Sequence, residues 1–281
     1  VEVMKGLARP HGIVFVGDFI YVAETDKVIR ARYDPEKLSV GSIEKLFDLP
    51  GGGRHFTRTI KIRDGKIYAS VGSSCDTCVE DNPYRGAVVV SDLDGANLRL
   101  FAKGLRNTVF FTFDSQGRIW GTDMGRDFLG DNLPPDEVNL IEDGKDYGWP
   151  YCYGDGVRDT KFNKGEKLAY CSDTAAPKFK LPAHVAPLGI AFIKSDLFPG
   201  EDQRSILVAL HGSWNSSVPV GYKIVKLSIL GDSVTGMEDF ITGFIDGKEV
   251  LGRPVDLIFD ERGYLFISDD KAGLIYILSK N

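Results

Sequence analysis

The stretch Val109–Asp123, VFFTFDSQGRIWGTD, decides the fold because it reads as two short strands joined by a glycine-containing turn. The same pattern recurs in three further stretches: Gly12–Glu24 (GIVFVGDFIYVAE), Thr59–Gly72 (TIKIRDGKIYASVG) and Val255–Asp270 (VDLIFDERGYLFISDD). The corresponding turns are Gly17-Asp18, Asp64-Gly65, Ser115-Gln116-Gly117 and Glu261-Arg262-Gly263. Each turn offers a residue suited to positive φ, which tight hairpins require. The sequence therefore predicts a repeated β-hairpin.

The repeat has a blade-like spacing, since Gly65 and Gly117 are about 50 positions apart. A fifth copy runs from Pro187 to Ala209 around a longer loop, Lys194–Arg204. The predicted outer strands are Ala87–Ser91, Tyr222–Ser228 and Leu274–Leu278. Helical periodicity is nearly absent. Repeated four-stranded units without helices predict an all-β fold, a β-propeller with five visible blades. A β-sandwich is the alternative, but its strands do not recur at such a period.

The whole chain, 1–281, is interpreted as a single propeller domain. One irregular stretch, 148–182, is rich in glycine, lysine, aspartate and aromatic residues. We interpret it as an insertion loop beside the third blade. A loop of this length in a compact domain usually has a function.

Composition limits the possible partners. The net charge of −6 and the absence of a basic stripe argue against nucleic acid. Long apolar stretches such as Gly12–Ala23 are interrupted by Gly17 and Asp18, so no membrane span is expected. The chain begins at Val1 rather than methionine, which predicts a processed or trimmed N-terminus.

The four cysteines form two local pairs, Cys75 with Cys78 and Cys152 with Cys171. A four-cysteine zinc site would need a second C-x-x-C, and a thioredoxin-like motif would need a βαβ unit. Neither is present, so we expect two disulfides and an oxidising, extracytoplasmic compartment. Buried free thiols are the alternative.

Polar residues precede the repeats, where the loops of a propeller converge on its central channel. They are Arg9-Pro10-His11, Arg54-His55, Arg106-Asn107, His184 and Arg253-Pro254, with His211 at the end of a second strand. All four histidines of the chain are in this set. Any one of them taken alone is more simply a structural residue, but the four together indicate a site.

A second cluster is the acidic loop Gly125–Glu137, GRDFLGDNLPPDE. Carboxylates on a loop shaped by glycine and proline suit Ca²⁺, which prefers oxygen ligands. A solvated acidic loop is an equally good interpretation. No dinucleotide fingerprint, P-loop, H-E-x-x-H or G-x-S-x-G occurs, which weakens nucleotide and serine-hydrolase functions.

Several motifs, taken in order, resemble the PQQ-dependent soluble sugar dehydrogenases (PQQ is pyrroloquinoline quinone), in particular their sorbosone-dehydrogenase-like branch. They are Gly53–Thr59 (GRHFTRT), Ser73–Cys78 (SSCDTC), Gly104–Asn107 (GLRN), Pro135–Asp155 (PDEVNLIEDGKDYGWPYCYGD), His184–Gly189 (HVAPLG), His211–Asn215 (HGSWN) and Gly252–Asp256 (GRPVD). Each motif is weak alone, but their joint order is specific. The resemblance covers nearly the whole chain.

The resemblance implies oxidation of an aldose or related sugar, with PQQ as hydride acceptor, Ca²⁺ as Lewis acid and an external electron acceptor. It implies that His55 is the general base and that Arg106 and Asn107 contact the quinone oxygens. Arg253 would neutralise a PQQ carboxylate. His184, His211 and Trp214 are further cofactor-binding candidates, although Trp214 is equally compatible with a structural role. The implied calcium segment contains Gly125, Arg126, Asp136, Glu137 and Tyr147.

The sequence departs from the family pattern in one respect. The family propeller has six blades, and this chain opens at what corresponds to the second. Two alternative functions therefore stay open. One is a calcium-dependent lactonase using Glu24, Asn107 and Asp256, and the other is a binding or structural propeller that has lost its chemistry.

Overall fold

The computed structural model describes residues 1–162, 170–195, 198 and 205–279. The described residues contain no α-helix, and their helical turns are short 3-10 segments at Thr160–Phe162 and Tyr170–Ser172. No helix among them is long and apolar enough to cross a bilayer. Part of the predicted loop Lys194–Arg204 lies outside the described residues.

The chain divides into two compact units. The first comprises Val1–Val109 and Glu142–Tyr151, and the second comprises Phe110–Ile141 and Cys152–Asn281. The interpretation of 1–281 as one domain stays a prediction.

The first unit contains two antiparallel sheets. The first sheet is built from β1 (Gly12–Val16), β2 (Phe19–Ala23), β3 (Lys27–Asp34), β4 (Ser39–Val40) and β5 (Glu44–Asp48). The second runs in sequence order through β6 (Ile60–Arg63), β7 (Lys66–Val71), β8 (Ala87–Asp92) and β9 (Arg99–Lys103). Apolar side chains from both sheets, including Tyr21, Val28, Ile60, Ile67 and Val89, form one buried cluster that holds this unit together.

The second unit contains three larger sheets. Their strands are β10 (Phe111–Phe113), β11 (Ile119–Asp123), β12 (Asp136–Ile141) and β15 (Phe179–Leu181); β16 (Pro187–Phe192), β17 (Ile206–Leu210), β18 (Lys223–Leu230) and β19 (Ser233–Ile241); and β22 (Pro254–Phe259), β23 (Leu265–Asp269) and β24 (Leu274–Leu278). Two small hairpins complete the strands: β13 (Cys152–Tyr153) with β14 (Val157–Arg158), and β20 (Ile245–Asp246) with β21 (Glu249–Val250). The last large sheet has three strands, and every residue of β24 is exposed.

The predicted hairpin turns are present. Val16 pairs with Phe19 and Arg63 pairs with Lys66, so both connections are two-residue turns. The glycine of each predicted turn has positive φ: Gly17, Gly65, Gly117 and Gly263. The five large sheets, each an antiparallel meander, confirm the five blades expected from the repeat and exclude a two-sheet sandwich.

The stretch 148–182 is only partly irregular. It holds β13, β14 and the 3-10 segments, and it ends in β15, which pairs with β12 as the outer strand of the third blade. Residues 163–169 of this stretch lie outside the described residues. The interpretation of 148–182 as a functional insertion stays a prediction.

Candidate active site

His55 lies in the loop between β5 and β6. Its Nδ1 is 3.0 Å from the carbonyl oxygen of Ser73 and 2.8 Å from the Ser73 hydroxyl oxygen. Because a carbonyl oxygen only accepts, Nδ1 carries the ring proton and Nε2 carries the lone pair. No side chain or backbone group of the described residues forms a hydrogen bond with Nε2. The ring therefore offers a basic nitrogen.

The surroundings of His55 keep the imidazole neutral. Burial lowers its pKa from 6.5 to about 3 and is the largest cause, with smaller contributions from the positive charges of Arg106 and Arg54. The hydrogen bond with Ser73 and the charge of Asp76 act in the opposite direction but are weaker. His55 is thus a neutral base at neutral pH.

Arg106 and Asn107 lie between β9 and β10, and both are buried. Arg106 Nε donates to the carbonyl oxygen of Asp76, and its Nη2 donates to the Asp76 carboxylate, both at 2.8 Å. The backbone carbonyl of Arg106 accepts from the N–H of Ser73 at 2.9 Å. The guanidinium is therefore held in a fixed orientation by a partner that also lies beside His55.

Gly72 allows these residues to meet. A Cβ at this position would lie 2.5 Å from Asn107 Oδ1 and 2.6 Å from the Cβ of His55, closer than real contacts allow. The structure thus brings three of the predicted residues together. We refer to His55, Ser73, Asp76, Arg106 and Asn107 as the His55 cluster.

Both cysteine pairs are disulfides, Cys75–Cys78 and Cys152–Cys171. The Cys75–Cys78 disulfide is half-buried and closes a loop that contains Asp76 of the His55 cluster. The Cys152–Cys171 disulfide is buried and links β13 to the 3-10 segment at Tyr170–Ser172. The alternative of free thiols is excluded in this structure.

Asp136, a predicted calcium ligand, is almost fully buried and bonds to backbone. Its Oδ1 accepts from the N–H of Gly125 at 2.8 Å, and its Oδ2 accepts from the N–H of Ala186 at 2.9 Å. The carboxylate thus ties the start of the acidic loop to the segment that precedes β16.

Glu137 is also buried and engaged. Its Oε1 accepts from the N–H of Gly154 at 2.8 Å, and its Oε2 accepts from the Asn139 amide at 3.1 Å. Burial raises the pKa of this carboxyl to about 8, with a further contribution from the charge of Asp123. A neighbouring divalent cation would shift this pKa in the opposite direction, because its charge favours the carboxylate form.

The other predicted calcium residues also have structural contacts. Arg126 forms an ion pair with the buried Asp159, at 2.9 Å. Gly125 allows a close approach, since a Cβ there would meet Pro134. Tyr147 belongs to the first unit, where its hydroxyl accepts from the N–H of Glu142 at 3.0 Å. Burial raises the pKa of this phenol far above its usual value.

Protein groups hold both predicted side-chain ligands, Asp136 and Glu137, in place. The four carboxylate oxygens of Asp136 and Glu137 each already accept a hydrogen bond. Among the described residues, the one compact group of three metal-binding side chains is Cys75, Cys78 and Glu80, whose sulfur atoms are joined in a disulfide. Calcium binding at Gly125, Arg126, Asp136, Glu137 and Tyr147 stays a prediction.

The acidic loop is fastened to neighbouring segments of the second unit. His184 lies within 2.7 Å of the Gly130 carbonyl through Nε2. The Asn215 amide donates to Asp127 at 2.7 Å, and the hydroxyl of Ser217 donates to Asp131. His184 therefore holds the loop in place, and its predicted role at the cofactor stays a prediction.

Arg253 and His211 meet in the second unit. Arg253 Nη1 lies 3.3 Å from His211 Nδ1 and donates to the Gly212 carbonyl at 2.9 Å, while His211 Nε2 lies 3.0 Å from Asp270. The guanidinium also lies over the Tyr222 ring, 4.9 Å from its centroid. Its acceptors are carbonyls, a phenol and an imidazole, and no described carboxylate forms an ion pair with it. Among the described residues, the Arg253 guanidinium therefore has no anionic partner.

Trp214 is 62% exposed and packs edge-on against Phe128, which is 70% exposed, with ring centroids 6.0 Å apart. A buried structural indole, the alternative interpretation, is thereby excluded. Its predicted contact with the cofactor stays a prediction.

Sequence reasoning missed three residues that organise these sites. Ser73 and Asp76 lie within the quoted Ser73–Cys78 motif, so their position was visible but their role was not. Asp159, which pairs with Arg126, lies within the stretch 148–182, directly after β14, and carries no recognisable signal. The spacing of residues along the sequence does not indicate which carboxylate forms an ion pair with a distant arginine.

Comparison with known proteins adds to this geometry. The TrAA12-like family model matches residues 3–281. The chain is 34% identical to an uncharacterized protein of Borreliella burgdorferi, over 98% of this chain and 76% of that protein. It is 28% identical to a pyrroloquinoline quinone-dependent pyranose dehydrogenase of Coprinopsis cinerea, over 88% of this chain. The chain spans only 43% of the length of that enzyme.

Two solved structures have the same fold. The holo form of the Coprinopsis cinerea pyranose dehydrogenase PQQ domain superposes with a TM-score of 0.80 at 22% identity, covering 98% of this chain and 93% of that one. The calcium structure of a Trichoderma reesei enzyme of carbohydrate-active enzyme family AA12 gives 0.82 at 21% identity, covering 96% and 80%. The fold is therefore an all-β propeller with five visible blades. The chain belongs to the TrAA12-like family of PQQ-dependent sugar dehydrogenase propellers.

Proposed function

We propose that this chain is a quinoprotein oxidoreductase that oxidises an aldose or related sugar or polyol, with PQQ as the hydride acceptor. One observation carries the proposal: His55 is held as a neutral base, with Nδ1–H on the Ser73 carbonyl and the lone pair on Nε2. A general base that works at neutral pH must be unprotonated and must reach its substrate through an unoccupied atom. Among the described residues His55 meets both conditions, and its lowered pKa makes it a weaker proton acceptor than free imidazole.

The residues present suit the cofactor. PQQ carries quinone oxygens and carboxylates, and it accepts two electrons and a proton as hydride when it is bound. Buried Arg106 and Asn107 supply donors of the kind that stabilise charge on quinone oxygens. The Arg253 guanidinium has no anionic partner in the part of the chain that the structure describes, which suits a carboxylate of the cofactor. We assign these three residues to cofactor binding, with His184, His211 and Trp214 as secondary candidates.

The proton transfer can be derived from this chain alone. The Nε2 lone pair takes the proton from the sugar hydroxyl as the carbon–hydrogen bond breaks, and the ring becomes an imidazolium. Burial, with a smaller contribution from the charges of Arg106 and Arg54, makes that imidazolium acidic, so it returns its proton to solvent readily. The charge of Arg106 thus favours the return of His55 to its neutral form.

The protein would need an external electron acceptor to complete its cycle. We place it outside the cytoplasm, because two disulfides persist best in an oxidising compartment. The lactonase alternative gains no support, since the buried Glu24 carboxylate forms an ion pair with Lys27 at 2.9 Å and accepts the N–H of Ala8 at 3.0 Å. That side chain serves the fold of its own blade.

A cofactor titration tests the proposal. PQQ is added to purified protein with and without Ca²⁺, and bound cofactor is followed by absorbance after gel filtration. Dye reduction is then measured with a panel of aldoses. We expect stoichiometric PQQ binding and sugar-dependent dye reduction. Lactone hydrolysis that needs Ca²⁺ but not PQQ would support the alternative, and no bound PQQ would overturn the proposal.

The same titration with an Arg253→Gln variant tests whether this guanidinium binds the cofactor. We expect the substitution to weaken PQQ binding by about tenfold or more, the loss typical of one charge-assisted hydrogen bond. Arg262→Gln is the matched control, because it removes an exposed cation of the same unit that pairs with Asp260 in a turn. Equal PQQ affinity of the two variants would remove Arg253 from the cofactor site.

A further inference from the structure

The loop closed by the Cys75–Cys78 disulfide lies next to two residues of the His55 cluster, His55 and Arg106. Three residues separate it from the end of β7, and it contains no regular secondary structure. No ladder of backbone hydrogen bonds therefore fixes its shape, and the disulfide is the covalent constraint on it. The contacts of this loop indicate which neighbouring side chains the disulfide helps to position.

The first contact of the loop concerns the proton on His55. The Ser73 hydroxyl donates to the Cys75 carbonyl at 2.7 Å, so its own proton is directed into the loop. Its oxygen can then only accept from the Nδ1–H of His55, 2.8 Å away. The Ser73 carbonyl oxygen, 3.0 Å from Nδ1, can likewise only accept from the Nδ1–H. Both oxygens therefore select the ring form that leaves Nε2 unprotonated.

The second contact concerns Arg106. Asp76 lies between the two cysteines, and it accepts from Arg106 with both its backbone carbonyl and its carboxylate, each at 2.8 Å. Two acceptors on one residue fix the plane of the guanidinium as well as its position. The orientation of Arg106 therefore depends on the conformation of the disulfide loop.

The outer side of the loop is fastened as well. Glu80 accepts from the N–H and the hydroxyl of Ser74, at 2.6 Å and 2.8 Å. The Ser74 carbonyl accepts from the N–H of Arg54 at 2.7 Å, next to His55 itself. The loop segment is thus linked both to the proposed base and to the residue that precedes it.

We propose that the Cys75–Cys78 disulfide loop is a positioning element that sets the His55 tautomer and the Arg106 orientation together. This inference rests on the proposed function for its catalytic meaning, but its structural content can be measured without PQQ. A purely fold-stabilising disulfide is the competing explanation. The second disulfide provides the comparison, because it closes a much longer loop and should restrict the unfolded chain more.

The test compares Cys75→Ser/Cys78→Ser with Cys152→Ser/Cys171→Ser by ¹⁵N NMR of the histidine rings, in protein without cofactor. Wild-type His55 should show protonated Nδ1, bare Nε2 and no titration near pH 6. In the first variant we expect a mixture of both ring forms and a pKa that rises toward 6.5, because the ring gains solvent and loses the fixed charge of Arg106. In the second variant the His55 signals should stay as in wild type.

Selective reduction provides a second route if the first variant does not fold. Dithiothreitol breaks the sulfur–sulfur bond, giving two thiols while it becomes a cyclic disulfide. Cys75–Cys78 is half-buried and the other disulfide is buried, so mild treatment should reduce the first alone, as thiol labelling and mass spectrometry would show. The same change in the His55 signals is expected.

The outcomes separate the two proposals. Folded protein that lacks the Cys75–Cys78 bond but keeps the wild-type His55 tautomer and pKa would overturn the positioning role. If the tautomer changes while wild-type protein binds no PQQ, the positioning role stands and the proposed function fails. If both hold, PQQ-loaded protein without the bond should lose kcat at least tenfold, with a pH profile whose lower limb moves upward.

Discussion

The His55 cluster and the acidic loop Gly125–Glu137 both concentrate polar side chains, but they use them in opposite ways. In the His55 cluster the polar contacts converge on one ring, and no described residue forms a hydrogen bond with its Nε2. In the acidic loop the carboxylates bond to backbone N–H groups and side chains that hold the loop itself. Density of charge in the sequence is therefore a poor guide to chemistry, and the atom left unsatisfied is a better one.

The largest effect on stability should come from the acidic loop. Asp136→Ala removes the acceptor of two backbone N–H groups, and leaving both unsatisfied should lower the free energy of unfolding by about 2–4 kcal/mol. Asp155→Ala is the control, since this exposed residue pairs with exposed Lys180 and should cost less than about 0.5 kcal/mol. Urea denaturation measures both free energies of unfolding, and equal losses would contradict the claim that the Asp136 carboxylate holds the acidic loop in place.

The two disulfides should contribute unequally to the free energy of unfolding. Removal of Cys152–Cys171, which closes the longer loop, should lower the free energy of unfolding by about 3 kcal/mol. Removal of Cys75–Cys78 should lower it by about 2 kcal/mol. Calorimetry of the two double-serine variants gives the order. A larger loss for Cys75–Cys78 would indicate that its main role is to stabilise the fold.

The lowered pKa of His55 predicts how stability depends on pH. Between about pH 6.5 and pH 3 the unfolded chain binds a proton at this position and the folded protein does not. The contribution of the neutral ring to stability is therefore fully present above pH 6.5 and is lost as the pH falls through this window. In His55→Gln the decline of stability with acid should be shallower. Parallel curves of unfolding free energy against pH would contradict the lowered pKa.

The smallest effect is expected at Trp214. Because its side chain is 62% exposed, Trp214→Ala should change the free energy of unfolding by less than about 0.5 kcal/mol. Any loss of PQQ affinity in this folded variant would then report a direct contact with the cofactor. Unchanged affinity would assign the indole to another surface role.

The fold could be predicted from the sequence because its signals are local. Alternating strands and positive-φ glycines such as Gly65 and Gly117 act within a few residues, and the repeat multiplies the signal. Within the site, the positions of His55, Arg106 and Asn107 followed from their places before the repeats. These positions need only the topology of a blade.

The hydrogen-bond partners of Asp136 and Glu137 could not be predicted, because burial and partner choice are not local. The sequence shows that Asp136 and Glu137 are carboxylates on a shaped loop, but not that backbone N–H groups of Gly125, Ala186 and Gly154 meet them. The roles of Ser73 and Asp76 depend in the same way on the path of the chain between them and their partners. Such contacts are fixed by tertiary packing rather than by sequence spacing.

The most direct test of the account is the turnover of His55→Gln loaded with PQQ. Glutamine keeps a polar side chain of similar reach but has no basic nitrogen. We expect PQQ affinity close to that of wild type, with kcat for sugar-dependent dye reduction lower by about 100-fold or more, the usual contribution of a general base. Full dye reduction by the PQQ-loaded variant would contradict the claim that His55 is the base.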